Sequence, residues 1–307
     1  IEIENTGKPR NLTASEEIGP MVDQVRFFAG AARLLDGRAQ GEFMRGFTSS
    51  VRREPIGPVG QVTPWNYPMM MAIWKLAPAL AAGNTVVVKP SDTTPASSIW
   101  LVEKLQDLLP SGVVNLVCGD RDTGAALTAH PIPRMVSITG STRAGMAVAQ
   151  SASVDLKVAH LELGGKAPVV VFDDVDLAAA IEGISVAGLF NAGQLCQAGV
   201  YAEFVAELGK AAAATRTGWD PADEDILYGP INNPRQLSHV SGLVERAPSH
   251  ARVVTGGHQV QRDGYFYEPT VVADLQQSDE LIRTEVFGPV ITVQKFGDEN
   301  EAVTMAN

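Results

Sequence analysis

Cys118 and Cys196 are the only two cysteines in 307 residues. That is too few for a disulfide framework, and the default reading is free thiols in a reducing cytoplasm. Basic residues are also short: 24 Lys and Arg stand against 35 Asp and Glu, a formal net charge of -11. Nucleic-acid and anionic-membrane surfaces need basic patches, so neither is an expected partner; the charge is silent about small molecules. No apolar run approaches the roughly 20 residues that cross a bilayer, and the nearest, 69–82, is interrupted by Lys75. No signal-peptide pattern opens the chain. There is no internal repeat or low-complexity linker, and no strand leads into a GxGxxG, the common dinucleotide fingerprint. With 45% apolar and 19% charged residues, the balance is that of a globular protein long enough for a sizeable core and two domains.

Strand and helix patterns alternate. Thr85-Val86-Val87-Val88 is a β-branched run of the kind buried on both faces. Residues 94–109 follow, with Leu101, Val102, Leu105, Leu108 and Leu109 at helical spacing. Strands are expected at 113–117, 135–138 and 158–161, with helices at 123–129 and 142–152 between and after them. This order predicts a parallel, doubly wound α/β sheet. Ligands in such sheets bind beyond the carboxyl ends of the strands. Four turn segments fall there: Lys89-Pro90-Ser91-Asp92, Cys118-Gly119-Asp120, Thr139-Gly140-Ser141 and Glu162-Leu163-Gly164-Gly165. Gly140-Ser141 opens a helix and could seat a phosphate; a turn glycine with an N-cap serine accounts for it equally. Beyond Gly165, Val169-Val170-Val171 reads as another buried strand and 177–191 as a helix that Gly193 ends. Before the sheet, 42–62 reads as a projecting hairpin.

Gly193-Gln194-Leu195-Cys196-Gln197-Ala198 is the sharpest local signal. A lone cysteine is more often a small buried hydrophobe than a nucleophile, but this one lies in a polar, glycine-flanked loop. Glu162 sits between Leu161 and Leu163 at a strand end. Partial desolvation there would raise its pKa and suit a general base; a glutamate that merely reaches water or a salt bridge is the plainer alternative. The residues alone do not pair Cys196 with Glu162.

Six segments together resemble the aldehyde dehydrogenase superfamily: Pro64-Trp65-Asn66-Tyr67-Pro68, Lys89-Pro90-Ser91-Asp92, Thr139-Gly140-Ser141-Thr142, Leu161-Glu162-Leu163-Gly164-Gly165-Lys166, Gly193-Gln194-Leu195-Cys196 and Glu285-Val286-Phe287-Gly288-Pro289-Val290. They occur in that family's order and cover nearly the whole chain. The resemblance implies a Rossmann-like NAD-binding domain over 1–163, followed by an α/β catalytic domain over 164–307 that is incomplete. It implies Cys196 as nucleophile, the Asn66 amide and the Cys196 backbone N–H as oxyanion donors, and Glu162 as the base that hydrolyses the thioester. Lys89 and Asp92 match positions that hold the adenine-side ribose. Ser141 matches a pyrophosphate contact, Trp65 and Gly124 line the cofactor cleft, and Glu285 and Phe287 clamp the nicotinamide ribose. Thr63, Pro64, Ser91, Gly140 and Leu163 complete the implied cofactor contacts. NAD is the expected cofactor, with NADP open, because Asp92 is one methylene shorter than the glutamate usual in strongly NAD-preferring members. No metal is implied.

Arg52-Arg53-Glu54-Pro55-Ile56-Gly57, Cys118-Gly119-Asp120-Arg121-Asp122-Thr123-Gly124 and Tyr228-Gly229-Pro230-Ile231-Asn232-Asn233 are most similar to the bacterial γ-aminobutyraldehyde dehydrogenases. Those enzymes oxidise ω-amino aldehydes made in putrescine breakdown; betaine and general aliphatic aldehydes are the rival substrates. A homodimer or homotetramer is the implied assembly. A cysteine hydrolase would need a histidine partner for Cys196, and none of the five histidines sits in a recognisable partner motif; His160, two residues before Glu162, comes closest. A non-catalytic dinucleotide-binding protein is the other alternative. Both ends of the chain read as cut, and the strand that the family has after Gly199 is missing, so that Val200 runs directly into a helix from about Tyr201. A missing strand leaves its neighbours with unpaired backbone groups and an open apolar face. Made as these 307 residues alone, the chain is therefore expected to be inactive and poorly soluble. NADH formation with 4-aminobutanal and sedimentation check this; a soluble, active product would show that the gaps are tolerated.

Overall fold

The computed structural model describes residues 1–172, 174–194, 202–220 and 222–307. They form two compact units, Ile1–Asn5 with Ala14–Leu163 and Thr6–Thr13 with Gly164–Asn307. Two short helices open the chain, α1 (Glu2–Thr6) and α2 (Arg10–Thr13), and α3 (Gly19–Ala31) follows.

The first unit is organised by a parallel sheet. An antiparallel hairpin of β1 (Arg38–Met44) and β2 (Phe47–Val51) precedes it. The sheet is built from β3 (Pro58–Val62), β4 (Thr85–Lys89), β5 (Val114–Leu116), β6 (Met135–Gly140) and β7 (Val158–Leu163), in the order β5-β4-β3-β6-β7. Every neighbouring pair is parallel, so all five carboxyl ends lie along one edge. The helices α4 (Pro68–Ala81), α5 (Ala96–Gln106), α6 (Arg121–Ala129) and α7 (Thr142–Ser153) connect the strands. Local chemistry sets their starts. Pro68 opens α4, where its missing N–H is not needed, and the Asp120 carboxylate caps α6 by accepting from Asp122 N at 3.0 Å.

Side chains alternate across this sheet. Gln61 of β3 pairs in register with Val88 of β4 and Ser137 of β6, and Ser137 pairs with His160 of β7. That row lies on the α4 side, where Leu76, Val86, Val88, Val102 and Val114 form one apolar cluster. Val136 and Ile138, one position off, take the opposite face and pack with Val148 and Ala152 of α7. This is the doubly wound arrangement expected from the alternating pattern.

The second unit holds α8 (Leu177–Leu189), α9 (Ala202–Ala214), the parallel pair β8 (Arg216–Thr217) and β9 (Ile226–Tyr228), α10 (Pro234–Glu245), β10 (Arg252–Thr255), β11 (Thr270–Ala273), α11 (Glu280–Arg283), β12 (Val290–Thr292) and α12 (Glu299–Ala306). β11 is central in its sheet, antiparallel to β10 and parallel to β12. Leu189, Leu208, Tyr228, Leu243, Val271, Val272 and Ile291 are all but inaccessible in its core. Asp176 caps α8 by accepting from Ala178 N and Ala179 N at 3.0 and 3.2 Å.

Two sequence expectations are corrected. The hairpin spans 38–51, not 42–62: Gly46, at φ +82°, makes its turn, and Gly46 N donates to Glu42 Oε1 at 2.7 Å. Residues 58–62 are instead the middle strand of the sheet, which the glycine and glutamine in Val59-Gly60-Gln61 disguise. Gly60 leaves room for Leu127 of α6, which would sit 3.2 Å from a Cβ there, and Gln61 is buried. Val169-Val170-Val171 joins no strand ladder among the described residues. Val169 and Val171 pack on the core while Val170 is exposed; β-branched content reports burial here, not a ladder partner.

Candidate active site

Most of the implied cofactor residues lie along the carboxyl edge of the first sheet. Thr63 follows β3, and its N–H donates to Lys89 O at 3.1 Å, carrying the pairing of β3 and β4 one step beyond the ladder. The Thr63 hydroxyl is buried and has no hydrogen-bond partner among the described residues. Pro64, Trp65 and Asn66 follow, all half-buried, and Trp65 O accepts from Thr94 Oγ1 at 3.5 Å. Lys89, the last residue of β4, is buried, and burial pulls its ammonium below the usual lysine value while Asp92, Asp120 and Cys118 act in the opposite sense. Ser91 Oγ stands 3.4 Å from Asp92 Oδ1 and 3.1 Å from Thr93 Oγ1. Gly124, in the first turns of α6, comes so near that a Cβ there would lie 3.8 Å from Lys89 Cδ. Gly140 ends β6, and Ser141 caps α7 by accepting from Ala144 N at 3.3 Å. Cys118 is exposed just past β5.

Leu163 and Glu162 end β7. The Leu163 side chain fills the space over Gly145 of α7, where a Cβ would lie 3.0 Å from its Cγ. Glu162 departs from expectation: its side chain is 63% exposed, because β7 is the outer strand of the sheet and flanking leucines point to the other face. Its nearest described partner is His160 on the same face, with Nε2 3.4 Å from Oε1. His160 Nδ1 is 2.9 Å from Ser137 Oγ, and Lys75 Nζ of α4 donates to that oxygen at 2.8 Å.

In the second unit, Glu285 and Phe287 lie in the loop before β12. Phe287 adopts φ +52°, unusual for a side chain of its size. Gln236 of α10 holds that loop, donating through Nε2 to Val286 O at 3.1 Å and Phe287 O at 2.9 Å. The Glu285 carboxylate lies over Gly164, where a Cβ would stand 2.8 Å from its Cδ. Lys166 lies beside it; burial lowers the Lys166 pKa to about 8, against the pull of Glu285. Gly193, at φ +64°, meets the Gly288 carbonyl so closely that no side chain fits. Gln194 is buried, its Nε2 donating to Asn191 O at 2.8 Å and its Oε1 accepting from Asn232 N at 3.2 Å. The segment leading to Cys196 is therefore anchored on both sides of its turn. Cys196 itself, and the expected strand gap after Gly199, lie outside the described residues.

The model of the aldehyde dehydrogenase family matches residues 1–307. The chain belongs to the aldehyde dehydrogenase family. Its fold is correspondingly similar to that of lactaldehyde dehydrogenase from Escherichia coli, with 36% identity and a TM-score of 0.95 over 100% of this chain and 66% of that one. A γ-glutamyl-γ-aminobutyraldehyde dehydrogenase from Burkholderia cenocepacia J2315 matches with 36% identity and a TM-score of 0.93, over 100% of this chain and 64% of that one. An aldehyde dehydrogenase from Mycobacterium tuberculosis, solved with NAD+, matches with 35% identity and a TM-score of 0.92, over 99% and 65%. The chain thus spans just under two thirds of the length of these family members.

Reading the sequence missed Lys75, Ser137, Lys166 and Gln236 as neighbours of the family's motif residues. Lys166 had a signal, since it closes the Glu162-to-Lys166 motif. Lys75 had one too, as the single charge inside an apolar helix. Ser137 and Gln236 had none, because cross-strand register and a helix–loop contact do not show in sequence. The packing of Glu285 yields a paired test. Gly164→Ala is expected to push the Glu285 carboxylate aside and to cost about 1 kcal/mol, the low end for overpacking, because the side chain can swing. Gly165→Ala meets nothing within 4 Å and is expected to leave Glu285 in place. Crystal structures and denaturant unfolding of the two variants check this.

Proposed function

We propose that this protein oxidises an aldehyde to a carboxylic acid with NAD, through a thiohemiacetal and a thioester on Cys196. The observation that carries the reading is the carboxyl edge of the parallel sheet in a member of this family. There a buried Thr63 hydroxyl with no hydrogen-bond partner among the described residues, the Lys89–Asp92 pair and the N-terminus of α7 lie at strand ends, where such sheets bind nucleotides. These residues fit a dinucleotide. Lys89, Ser91 and Asp92 would take ribose hydroxyls, and Gly140 with Ser141 would seat the pyrophosphate on the α7 dipole. Thr63, Pro64, Trp65, Gly124 and Leu163 would line the cleft, with Glu285 and Phe287 on the second ribose. When bound, NAD supplies the hydride acceptor. Residues 1–163 then serve as the cofactor-binding domain and 164–307 as part of the catalytic one.

Cys196, as thiolate, attacks the aldehyde carbon. The oxyanion accepts hydrogen bonds from the Asn66 amide and the Cys196 backbone N–H, donors of a kind that contribute on the order of 10²–10³ in rate. Loss of hydride from that carbon leaves the thioester. Glu162 then takes a proton from the water that attacks it, and acid and thiolate separate. The exposure of Glu162 gives water direct access to the base. For substrate we favour an ω-amino aldehyde such as 4-aminobutanal, from putrescine breakdown. The similarity at 52–57, 118–124 and 228–233 and the aminobutyraldehyde-type relative support this. Phe43, Met44 and Phe47 are exposed on the β1–β2 hairpin, which favours a homodimer or homotetramer in which another copy covers them.

Activity is tested on the protein expressed from its complete coding sequence. Cys196→Ala is expected to abolish NADH formation from 4-aminobutanal while calorimetry still detects NAD binding, and Cys118→Ala to keep most activity; the reverse would overturn the mechanism. A higher kcat/KM for lactaldehyde or betaine aldehyde than for 4-aminobutanal would overturn the substrate assignment alone.

Cofactor choice is tested separately. A carboxylate at Asp92 accepts from ribose hydroxyls and repels a 2′-phosphate. The parent is expected to prefer NAD to NADP, and Asp92→Ala to narrow or erase the preference. Equal kcat/KM for the two cofactors in the parent would remove the argument.

A further inference from the structure

Cys118 lies outside the mechanism above, yet the fold sets it beside the residues assigned to the adenine-side ribose. Val117 N donates to Val88 O at 2.9 Å, which carries the pairing of β4 and β5 one step past the ladder. Cys118 is the next residue and Lys89 is the last of β4, so the two stand together at the carboxyl edge. Cys118 is exposed. The turn behind it is fixed on two sides: a side chain at Gly119 would overlap the Thr123 hydroxyl, and the Asp120 carboxylate caps α6. Val88 faces the apolar cluster under α4 and α5, so Lys89 points to the other face, towards α6. There its Cδ lies 3.8 Å from where Gly124 would carry a Cβ. Lys89 is only 4% exposed. Charge interactions with Asp92, Asp120 and Cys118 reach its ammonium, which makes no hydrogen bond among the described residues. A buried charge without hydrogen bonds is costly, so this ammonium points to a ligand, and the Cys118 thiol opens onto the same space.

We propose that Cys118 is a reversible thiol switch on cofactor binding, closed when a small zwitterionic disulfide of the glutathione type forms a mixed disulfide with it. The proposal rests on the reading of Lys89 and Asp92 as ribose contacts. In the exchange, Cys118 gives up its proton and its thiolate attacks one sulfur of the disulfide. A bond forms between that sulfur and Cys118 Sγ, and the reagent's own S–S bond breaks. The other half leaves as thiolate and takes up the proton. One disulfide replaces another, so no further oxidant is consumed. A free thiol runs the same steps backwards, which makes the cap reversible. A glutathionyl group carries both carboxylate and ammonium groups at neutral pH. A carboxylate of the adduct meets the Lys89 ammonium, and its ammonium meets Asp92 or Asp120. The adduct thereby takes the polar partners that the ribose hydroxyls would need. Size acts in the same direction, because a tripeptide on Sγ fills the space over Gly124. The effect falls on cofactor affinity and leaves Cys196, Asn66 and Glu162 untouched.

The test uses Cys196→Ala in the protein expressed from its complete coding sequence, which removes the thiol of the mechanism and is expected to keep NAD binding. The variant is treated with glutathione disulfide and the adduct is located by peptide mass mapping. Calorimetry gives the NAD affinity before and after. Modification at Cys118 is expected to weaken NAD binding about 10-fold or more, the scale of one lost hydrogen bond to a charged group, and dithiothreitol to restore it. Adding Cys118→Ser is expected to abolish the effect while keeping the untreated affinity. Adding Lys89→Met instead is expected to lower the fraction of Cys118 held as the adduct at a fixed ratio of glutathione to its disulfide, because the charge-assisted contact is lost. Full NAD affinity with Cys118 modified, or no modification of Cys118, would overturn the switch and leave the ribose contacts standing. A loss of affinity that persists in Cys118→Ser would also overturn it, by placing the sensitive thiol elsewhere. An unchanged adduct fraction in Lys89→Met would overturn the pairing with Lys89. Untreated protein that binds no NAD would overturn the cofactor site, and the switch with it.

Discussion

The parallel register of β3 with both β4 and β6 is the constraint on which the rest of the first unit depends. Because β3 is central and its neighbours run the same way, five strands end along one edge. The chain leaves β3 towards α4 on one face and leaves β6 towards α7 on the other. The two exits diverge, and the backbone between them has no continuing ladder to fill it. Such a reversal of strand order opens a crevice for a ligand at the switch point. Thr63 and Ser141 are each the first residue past one of these two neighbouring strands. Their roles follow from position before chemistry: one is a buried hydroxyl with no partner among the described residues, the other an N-cap at a helix dipole.

The second unit fixes its residues by space more than by charge. Gly164 is small because the Glu285 carboxylate occupies the volume a side chain would need, and Gly193 because the Gly288 carbonyl does. Phe287 holds a left-handed backbone, a conformation that costs on the order of 1–3 kcal/mol and persists where surroundings over-determine it. Those surroundings are visible: the Gln236 amide bridges two successive carbonyls of the loop, and Val286 and Pro289 on either side are buried. The backbone of this loop is thus set by packing and amide hydrogen bonds, and the orientation of the Glu285 side chain follows from it.

Much of this was legible. Thr85-Val86-Val87-Val88 and the run at 135–138 announce buried parallel strands, the run at 158–161 announces the strand at the sheet's outer edge, and Ser141 announces a helix start. What was hidden has a common cause. β3 carries glycine and glutamine because Leu127 presses on one face and the Lys75 carbonyl needs a donor on the other; tertiary demands replaced the strand signature. Val169-Val170-Val171 kept the signature without the ladder. Glu162 was expected to be desolvated because its sequence neighbours are apolar, but along a strand neighbours point to the opposite face. The residues that decide its environment, His160 two positions away and Ser137 across the ladder, are neighbours only after folding.

The polar row on the α4 side bears on stability as well. A buried lysine is unfavourable unless well paired, and replacing such groups with apolar ones of similar size is often neutral or stabilising. The cluster of Leu76, Val86, Val88, Val102 and Val114 shows that the same face, two strands away, is filled with hydrocarbon. Packing alone therefore gives no reason for Lys75 and Ser137 to interrupt it. Gln61 adds to the cost, because its amide oxygen is buried without a partner among the described residues while its nitrogen holds the Lys75 carbonyl. Two strands and a helix thus commit buried polar groups to fixing one ammonium against one hydroxyl. That line of polar contacts runs to Glu162 at the strand end. Away from a strand end that carries chemistry, the same positions would be more stable as valine and leucine.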